Sequence, residues 1–388
     1  MHGAEYLWPS SEQRLLLDAG LLDDDRAVTA FRTWRKTVSL DAEFHYGSLR
    51  LLPLVYHNMQ RRGIGDPLMG RLKGVYRRAW YETHQLFHRV QPPVAQLAAA
   101  GIDMLLLKGA ALVLSYYQNH ALRPMADVDL VIPRTRLDEA LSILARLGWR
   151  FAREPDRDMI RFHHALQCFG PDGGEIDLHW RVTYEISEED DDSFRDTAEP
   201  VVFMGTTVRQ LDATHLLFQV IVHGVRWNLE TPIRWIPDAL AILRARSRDI
   251  DWKLLQTLAE KHRLSFRLGL GHNYLTDTFG APVPSSVLER FRTSRVSVLE
   301  KIENTVLLDD YRRFERSLLG NQWMLFVEYC RSADAWHPLA FASGYSHYLR
   351  YRLGVDSRRQ ILPRILSSVR RRLVSNRSGS ERHAGGRT

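Results

Sequence analysis

Apolar residues recur every third or fourth position through most of the first hundred residues, and that spacing predicts helices over Leu49–Arg61 and Leu68–Ala100. Gly63–Pro67 separates the two. Pro92–Pro93 is expected to bound or kink the second, because proline lacks the amide hydrogen that a helix interior uses. No strand-like alternation appears in this stretch. The period then changes. Ile102–Leu107 is a short apolar run ended by Lys108-Gly109, Ala110–Tyr117 has helical spacing, and Gln118–Ala126 is a polar connector containing Pro124. Asp127–Ile132 is a second strand candidate stopped by Pro133, and Leu137–Leu147 is helical with Gly148 as its C-cap. Arg150–Arg153, Ala165–Phe169 and Glu175–Trp180 are further strand candidates, the last two flanking the hairpin signal Gly170-Pro171-Asp172-Gly173-Gly174. Helical spacing returns over Ala213–Trp227, Ile233–Arg246, Trp252–His262, Leu264–Phe279, Ser286–Arg292 and Trp323–Cys330.

These patterns predict an α+β protein. A small mixed-sheet core over residues 98–185 lies between an N-terminal helical region, 1–97, and a C-terminal helical domain, 213–356. Residues 186–212 are expected to be an acidic linker with short strands, the run Glu188-Glu189-Asp190-Asp191-Asp192 forming a solvated face. Residues 357–388 read as a basic amphipathic helix followed by a disordered tail.

Composition narrows the function classes. Of 388 residues, 45% are hydrophobic and 26% charged, ordinary values for a globular protein and incompatible with wholesale disorder. No run of about 18 apolar residues occurs, so no transmembrane helix is expected. Met1–Glu5 lacks the basic and apolar regions of a signal peptide, which points to a cytoplasmic protein. Cys168 and Cys330 alone build neither a disulfide framework nor a zinc knuckle.

The net charge of +7 is local. From Ser357 onward there are nine Arg and one Glu, a balance of +8 that leaves the body at −1. A global nucleic-acid-binding surface therefore has no support from charge, and long nucleic acid is disfavoured as a partner.

The chemistry concentrates in Leu105-Leu106-Leu107-Lys108-Gly109-Ala110 and Arg123-Pro124-Met125-Ala126-Asp127-Val128-Asp129. On a strand, residues two apart share a face, so Asp127 and Asp129 are expected to project together while Val128 and Leu130 enter the core. Adjacent carboxylates repel unless a cation neutralises them, and their oxygens suit a hard ion such as Mg²⁺. Gly109, between strand and helix, is expected to let backbone amides approach an anion. Asp177, in Glu175-Ile176-Asp177-Leu178-His179-Trp180, supplies a third carboxylate with Glu175 and His179 on the same polar face. An Asp-x-Asp pair or a lone Asp177 on a strand is often merely solvated; the order of glycine turn, Asp pair and later Asp is what points to metal-dependent phosphate transfer.

This order resembles the polymerase-beta-like nucleotidyltransferase superfamily, with its glycine motif, Asp-x-[Asp/Glu] and later carboxylate. Lys108-Gly109, Arg123…Asp127-Val128-Asp129 and Asp177-Leu178-His179-Trp180 are most similar to the uncharacterised bacterial nucleotidyltransferase family (NTP transferase type 5). Arg234-Trp235-Ile236-Pro237-Asp238 and Ile250-Asp251-Trp252 add weaker likeness, and the resemblance spans roughly Leu49–Gly280. It implies that Asp127, Asp129 and Asp177 are catalytic and hold metal, with two Mg²⁺ ions bridging the triphosphate of an NTP, ATP first among them. Lys108, Gly109, Ala110, Arg123, His179 and Arg234 form the implied substrate- and phosphate-binding set. Ala110 departs from the Ser or Gly of the superfamily, removing a hydroxyl that Lys108 or Arg123 would replace as a cation clamp.

The implied reaction is transfer of NMP to a hydroxyl or phosphate of an acceptor with release of pyrophosphate, the acceptor being a small molecule, peptide or protein rather than long nucleic acid. Two other readings stay open: a catalytically inactive nucleotide-binding or protein-interaction module, and a metal-dependent phosphohydrolase or nuclease. Other signals carry less. His163-His164 lack a third ligand at metal spacing, His223 and Asp238 are expected to pair within the helical domain, and Arg234 has a surface salt bridge as its simplest role. Gly269-Leu270-Gly271 lacks a preceding strand, and Trp149, Trp180, Trp227, Trp235 and Trp252 are expected in the core. In the tail, Ile361, Leu362, Ile365, Leu366, Val369 and Leu373 recur at helical spacing among arginines, suiting either a partner, an anionic membrane surface, or packing on its own domain.

Overall fold

Among the described residues there are seven strands: β1 (Leu105–Leu106), β2 (Val128–Val131), β3 (Arg150–Phe151), β4 (Ala165–Phe169), β5 (Glu175–His179), β6 (Glu199–Phe203) and β7 (Thr206–Gln210). In this computed structural model they form one mixed sheet in the order β3-β4-β5-β2-β1-β7-β6. The structure describes residues 8–38, 46–186, 193–226, 233–301, 303, 318–332 and 338–367. The acidic run Glu188–Asp192, Trp227 and the tail from residue 368 lie outside the described residues.

The α+β class expected from the sequence is the one adopted. β2 pairs in parallel with β5 and antiparallel with β1, whose other neighbour, β7, is parallel. The short strands anticipated in 186–212 therefore belong to the same sheet as the core, because β7 completes the hydrogen bonding of β1. Met204 and Gly205, at φ 46° and 84°, make the tight turn of the β6–β7 hairpin.

The chain divides into two compact units: Met1–Asp156 with His163–Asp309, and Arg157–Phe162 with Asp310–Thr388. In the larger unit a continuous core joins Leu16 and Trp34 of the N-terminal helices, Val131 of the sheet, and Leu217, Ile236 and Leu268 of the later helices. The regions 1–97, 98–185 and 213–309 thus share one core. The smaller unit holds Leu325, Tyr329 and Tyr348 packed with Phe162, Phe341 and Tyr345. Residues 361–367 are helical, with Leu362 and Leu366 exposed. Among the described residues no helix is long and apolar enough to cross a membrane.

Two helix expectations change. Met69–Ala99 runs unbroken through Pro92 and Pro93, since the buried stripe Phe87, Val90, Val94 and Leu97 continues across them and packing outweighs the missing amide. The helix expected over Ala110–Tyr117 starts at Lys108, and Val113–Tyr117 widens into a π-helical turn.

Candidate active site

Val128 and Leu130 of β2, and Ile176 and Leu178 of β5, are fully buried on one face of the sheet. The two-residue strand period then sends Asp129, Asp177 and His179 to the opposite face. The parallel register pairs Asp129 with Asp177 and Val131 with His179. Lys108 Nζ lies 2.6 Å from Asp129 Oδ1. His179 Nε2 lies 3.1 Å from both Asp129 Oδ1 and Asp177 Oδ2. One ligating atom from each of Asp129, Asp177 and His179 falls within 4.8 Å of the others. Atoms this close can serve as ligands of one ion, so the donor set fits a divalent cation.

The electrostatics of the group are coupled. Burial works against ionising Asp129, yet the Lys108 charge and the His179 hydrogen bond hold its carboxyl well below the usual range. Asp177 is likewise lowered, the charge and hydrogen bond of His179 overcoming burial. Burial disfavours the His179 imidazolium, but the Asp177 charge and the hydrogen bonds to both carboxylates raise its pKa. His179 Nδ1 is buried without a hydrogen-bond partner among the described residues. Asp127 moves the other way: burial, then repulsion from Asp129, with Asp177 and Glu175 adding to it, raises its carboxyl. This crowding of acids is the condition that a divalent ion relieves.

Several residues differ in placement from their expected roles. β2 begins at Val128, so Asp127 precedes the strand and stands outside the tight group, where His179 takes the third position. A Cβ at Gly109 would lie 2.9 Å from Arg123 Nη1 and 3.3 Å from Met125 Sδ, so that side of the glycine faces packed side chains. Ala110, the next residue, is buried. Arg123 is engaged by Asp238, its Nη2 donating to Oδ2 at 3.0 Å, and the Tyr117 hydroxyl donates to Asp238 Oδ1 at 2.9 Å. Asp238 therefore pairs with Arg123 rather than with His223. Arg234 is not on a surface salt bridge: its Nη1 donates to the Pro124 carbonyl.

Sequence reasoning set aside His164, which the fold directs to this group, and His223, whose ionisation feels the same charges. The His164 ring packs edge-on against His179 with centroids 5.2 Å apart. Burial, then the charges of His179 and Lys108, keep His164 neutral well below the usual histidine range. Burial, Arg226 and Lys108 do the same to His223, against an opposing pull from Asp129. Arg226 Nε is buried without a hydrogen-bond partner among the described residues. The signal was Val220-Ile221-Val222-His223, a polar residue closing an apolar run on the helix Ala213–Gly224. Trp149, Trp180 and Trp235 are buried as expected, and Gly269 and Gly271 lie within the helix Ser265–Phe279. Cys168 and Cys330 are free and buried, which pushes the thiols up to about 12 and about 11.

Comparison with known proteins adds to this geometry. The family described as "uncharacterised nucleotidyltransferase" matches residues 48–280. No curated protein matches the chain. Among solved structures, the solution structure of the antibiotic-resistance factor ANT(2'')-Ia is 15% identical, with a TM-score of 0.35 over 50% of this chain and 98% of that one. The crystal structure of ANT(2'')-Ia with adenylyl-2''-tobramycin gives 16% identity and 0.33 over 47% and 98%. An antigenic nucleotidyltransferase-like protein from Paracoccidioides brasiliensis gives 17% and 0.34 over 53% and 97%.

Proposed function

We propose that this chain, which belongs to the family of uncharacterised nucleotidyltransferases, moves a nucleoside monophosphate from an NTP to an acceptor and releases pyrophosphate. The convergence of Asp129, Asp177 and His179 within 4.8 Å carries this reading. Asp129 and Asp177, with Asp127 beside them, are the residues that would hold Mg²⁺. A bound divalent ion there would neutralise charge on the phosphates and favour ionisation of the acceptor hydroxyl.

The protein groups supply the rest. Lys108, tethered to Asp129, presents a fixed positive charge at the phosphate side. His179 bridges the two carboxylates, and the His164 ring packs against it. Asp177, about a quarter exposed, orients the acceptor hydroxyl. The acceptor oxygen bonds to the α-phosphorus as the bond to the pyrophosphate oxygen breaks, and the hydroxyl proton passes to a carboxylate of the group. Arg123 acts by holding the segment that leads into Asp127.

The test is incubation of the purified full-length chain with each α-labelled NTP and Mg²⁺ in cell extract. Label is expected on an acceptor with wild type and not with Asp129→Ala. A folded wild-type protein that labels nothing contradicts the proposal.

A further inference from the structure

The smaller unit presents a surface that the acidic group does not use. Its chain leaves the helix Pro338–Leu353 through Gly354, at φ 60°, and turns helical again after Ser357. There the Gln360 side chain accepts from the Ser357 amide at 3.3 Å, which closes a capping box. Arg358 Nη2 donates to Ser343 Oγ at 3.0 Å and ties this start to the preceding helix. Residues 361–367 follow as α-helix.

At about 100° per residue, Ile361, Leu362, Ile365 and Leu366 fall within an arc of about 140° on that helix. Ile361 and Ile365 are half-buried, whereas Leu362 is 63% and Leu366 57% exposed. The buried cluster of this unit is Leu325, Tyr329 and Tyr348, with Phe162, Phe341, Tyr345 and Leu349 packed on it. None of the four residues on the arc belongs to that cluster. Packing on its own unit, one of the roles open to the tail, therefore leaves both leucines uncovered. One turn apart, they form a single bare patch rather than two scattered positions.

Charge decides what covers that patch. Arg358, Arg359 and Arg364 are exposed, and residues 357–367 hold no acid. The sequence goes on with Val369 and Leu373 at the same spacing, among Arg370, Arg371 and Arg372. From Ser357 onward nine Arg stand against one Glu. The occupant must therefore be anionic and must also accept leucines. A second copy of this chain would bring like charges together. Nucleic acid meets only the first condition, since phosphates take guanidiniums but leave leucines in water. The surface of an anionic bilayer meets both without a shaped groove: headgroup phosphates accept from guanidiniums, and the acyl boundary beneath them takes leucines.

We propose that the helix beginning at Ile361 docks the protein on an anionic lipid surface, Leu362 and Leu366 entering the headgroup–acyl boundary and the surrounding arginines binding lipid phosphates. The contact is peripheral, since no helix among the described residues is long and apolar enough to cross a membrane. It is independent of the nucleotidyl-transfer reading.

The test is co-sedimentation of the full chain with vesicles of phosphatidylglycerol and phosphatidylcholine, and with vesicles of phosphatidylcholine alone. Partition is expected to be at least tenfold stronger to the anionic vesicles and to weaken as salt rises. Leu362→Gln with Leu366→Gln should weaken it at least tenfold, and so should Arg359→Gln with Arg364→Gln, both with unfolding temperatures near wild type. No partition, equal partition to the two kinds of vesicle, or partition unchanged in either double variant would each overturn the proposal. Tighter binding to duplex DNA or to polyglutamate, or a dimer in vesicle-free solution that the leucine variant disperses, would overturn it in favour of those partners.

Discussion

Asp129 and Asp177 are direct partners across two parallel strands, and His179 Nε2 reaches both carboxylates at 3.1 Å. A register shift of one residue would carry either acid to the apolar face. The spacing of the acids is therefore fixed by the hydrophobic residues between them, Val128, Leu130, Ile176 and Leu178.

Lys108 gives a prediction that separates backbone strain from charge. Its φ of 43° lies in the left-handed region, where a non-glycine residue is disfavoured by about 1 kcal/mol. Lys108→Gly and Lys108→Ala both remove the ion pair to Asp129, so the glycine variant should be the more stable by that amount in urea denaturation. Both should lower nucleotide transfer by about 10- to 100-fold. Full transfer by either variant would remove Lys108 from the phosphate site.

The Arg123–Asp238 pair is nine-tenths buried on both sides. Asp238→Ala leaves a buried guanidinium unpaired and should cost about 3–5 kcal/mol, whereas Tyr117→Phe loses one hydrogen bond and should cost about 1 kcal/mol. The double variant Arg123→Met with Asp238→Leu should recover most of the loss. Thermal unfolding of the four proteins checks the order.

Gly224 ends the helix Ala213–Gly224 against Trp235, and a Cβ there would stand 2.1 Å from Trp235 Cγ and 2.2 Å from its Cβ. Gly224→Ala should therefore destabilise by about 3 kcal/mol or more, since neither atom is a flexible side-chain end. Unchanged stability would mean that the two helices separate freely.

Acid sensitivity should include one identifiable contribution. Asp212 caps the helix Ala213–Gly224, accepting from the Thr214 and His215 amides. Burial raises its pKa, but the hydrogen bond and charge of His215, with the Thr197 hydroxyl, bring it to about 2. The folded state thus binds this proton more weakly than the unfolded state does. The stabilisation, about 2 kcal/mol, is complete above about pH 4 and lost as pH falls toward about 2. Asp212→Asn should flatten the stability profile in that window. An unaltered profile would place the acid sensitivity elsewhere.

Much of the sheet was legible because alternation is local: Ala165–Phe169, the glycine hairpin and Glu175–His179 all appear where periodicity places them. The same alternation put Asp177 and His179 on one face. Local pattern carries no register, so it did not distinguish Asp127 from His179 as the third member of the tight group. His164, His223 and the Arg123–Asp238 pair were illegible for a related reason, since each joins segments 15 to 115 residues apart. Pro92 and Pro93 misled in the opposite sense: a strong local breaker yielded to a buried stripe that continues past it.

Titration with Mn²⁺ followed by electron paramagnetic resonance, on wild type and Asp177→Asn at equal unfolding temperature, measures the acidic group directly. Wild type is expected to remove Mn²⁺ from the free signal, and Asp177→Asn to bind it at least tenfold more weakly. Equal Mn²⁺ binding by the two proteins, or none by wild type, would contradict the assignment of a divalent ion to Asp129, Asp177 and their neighbours.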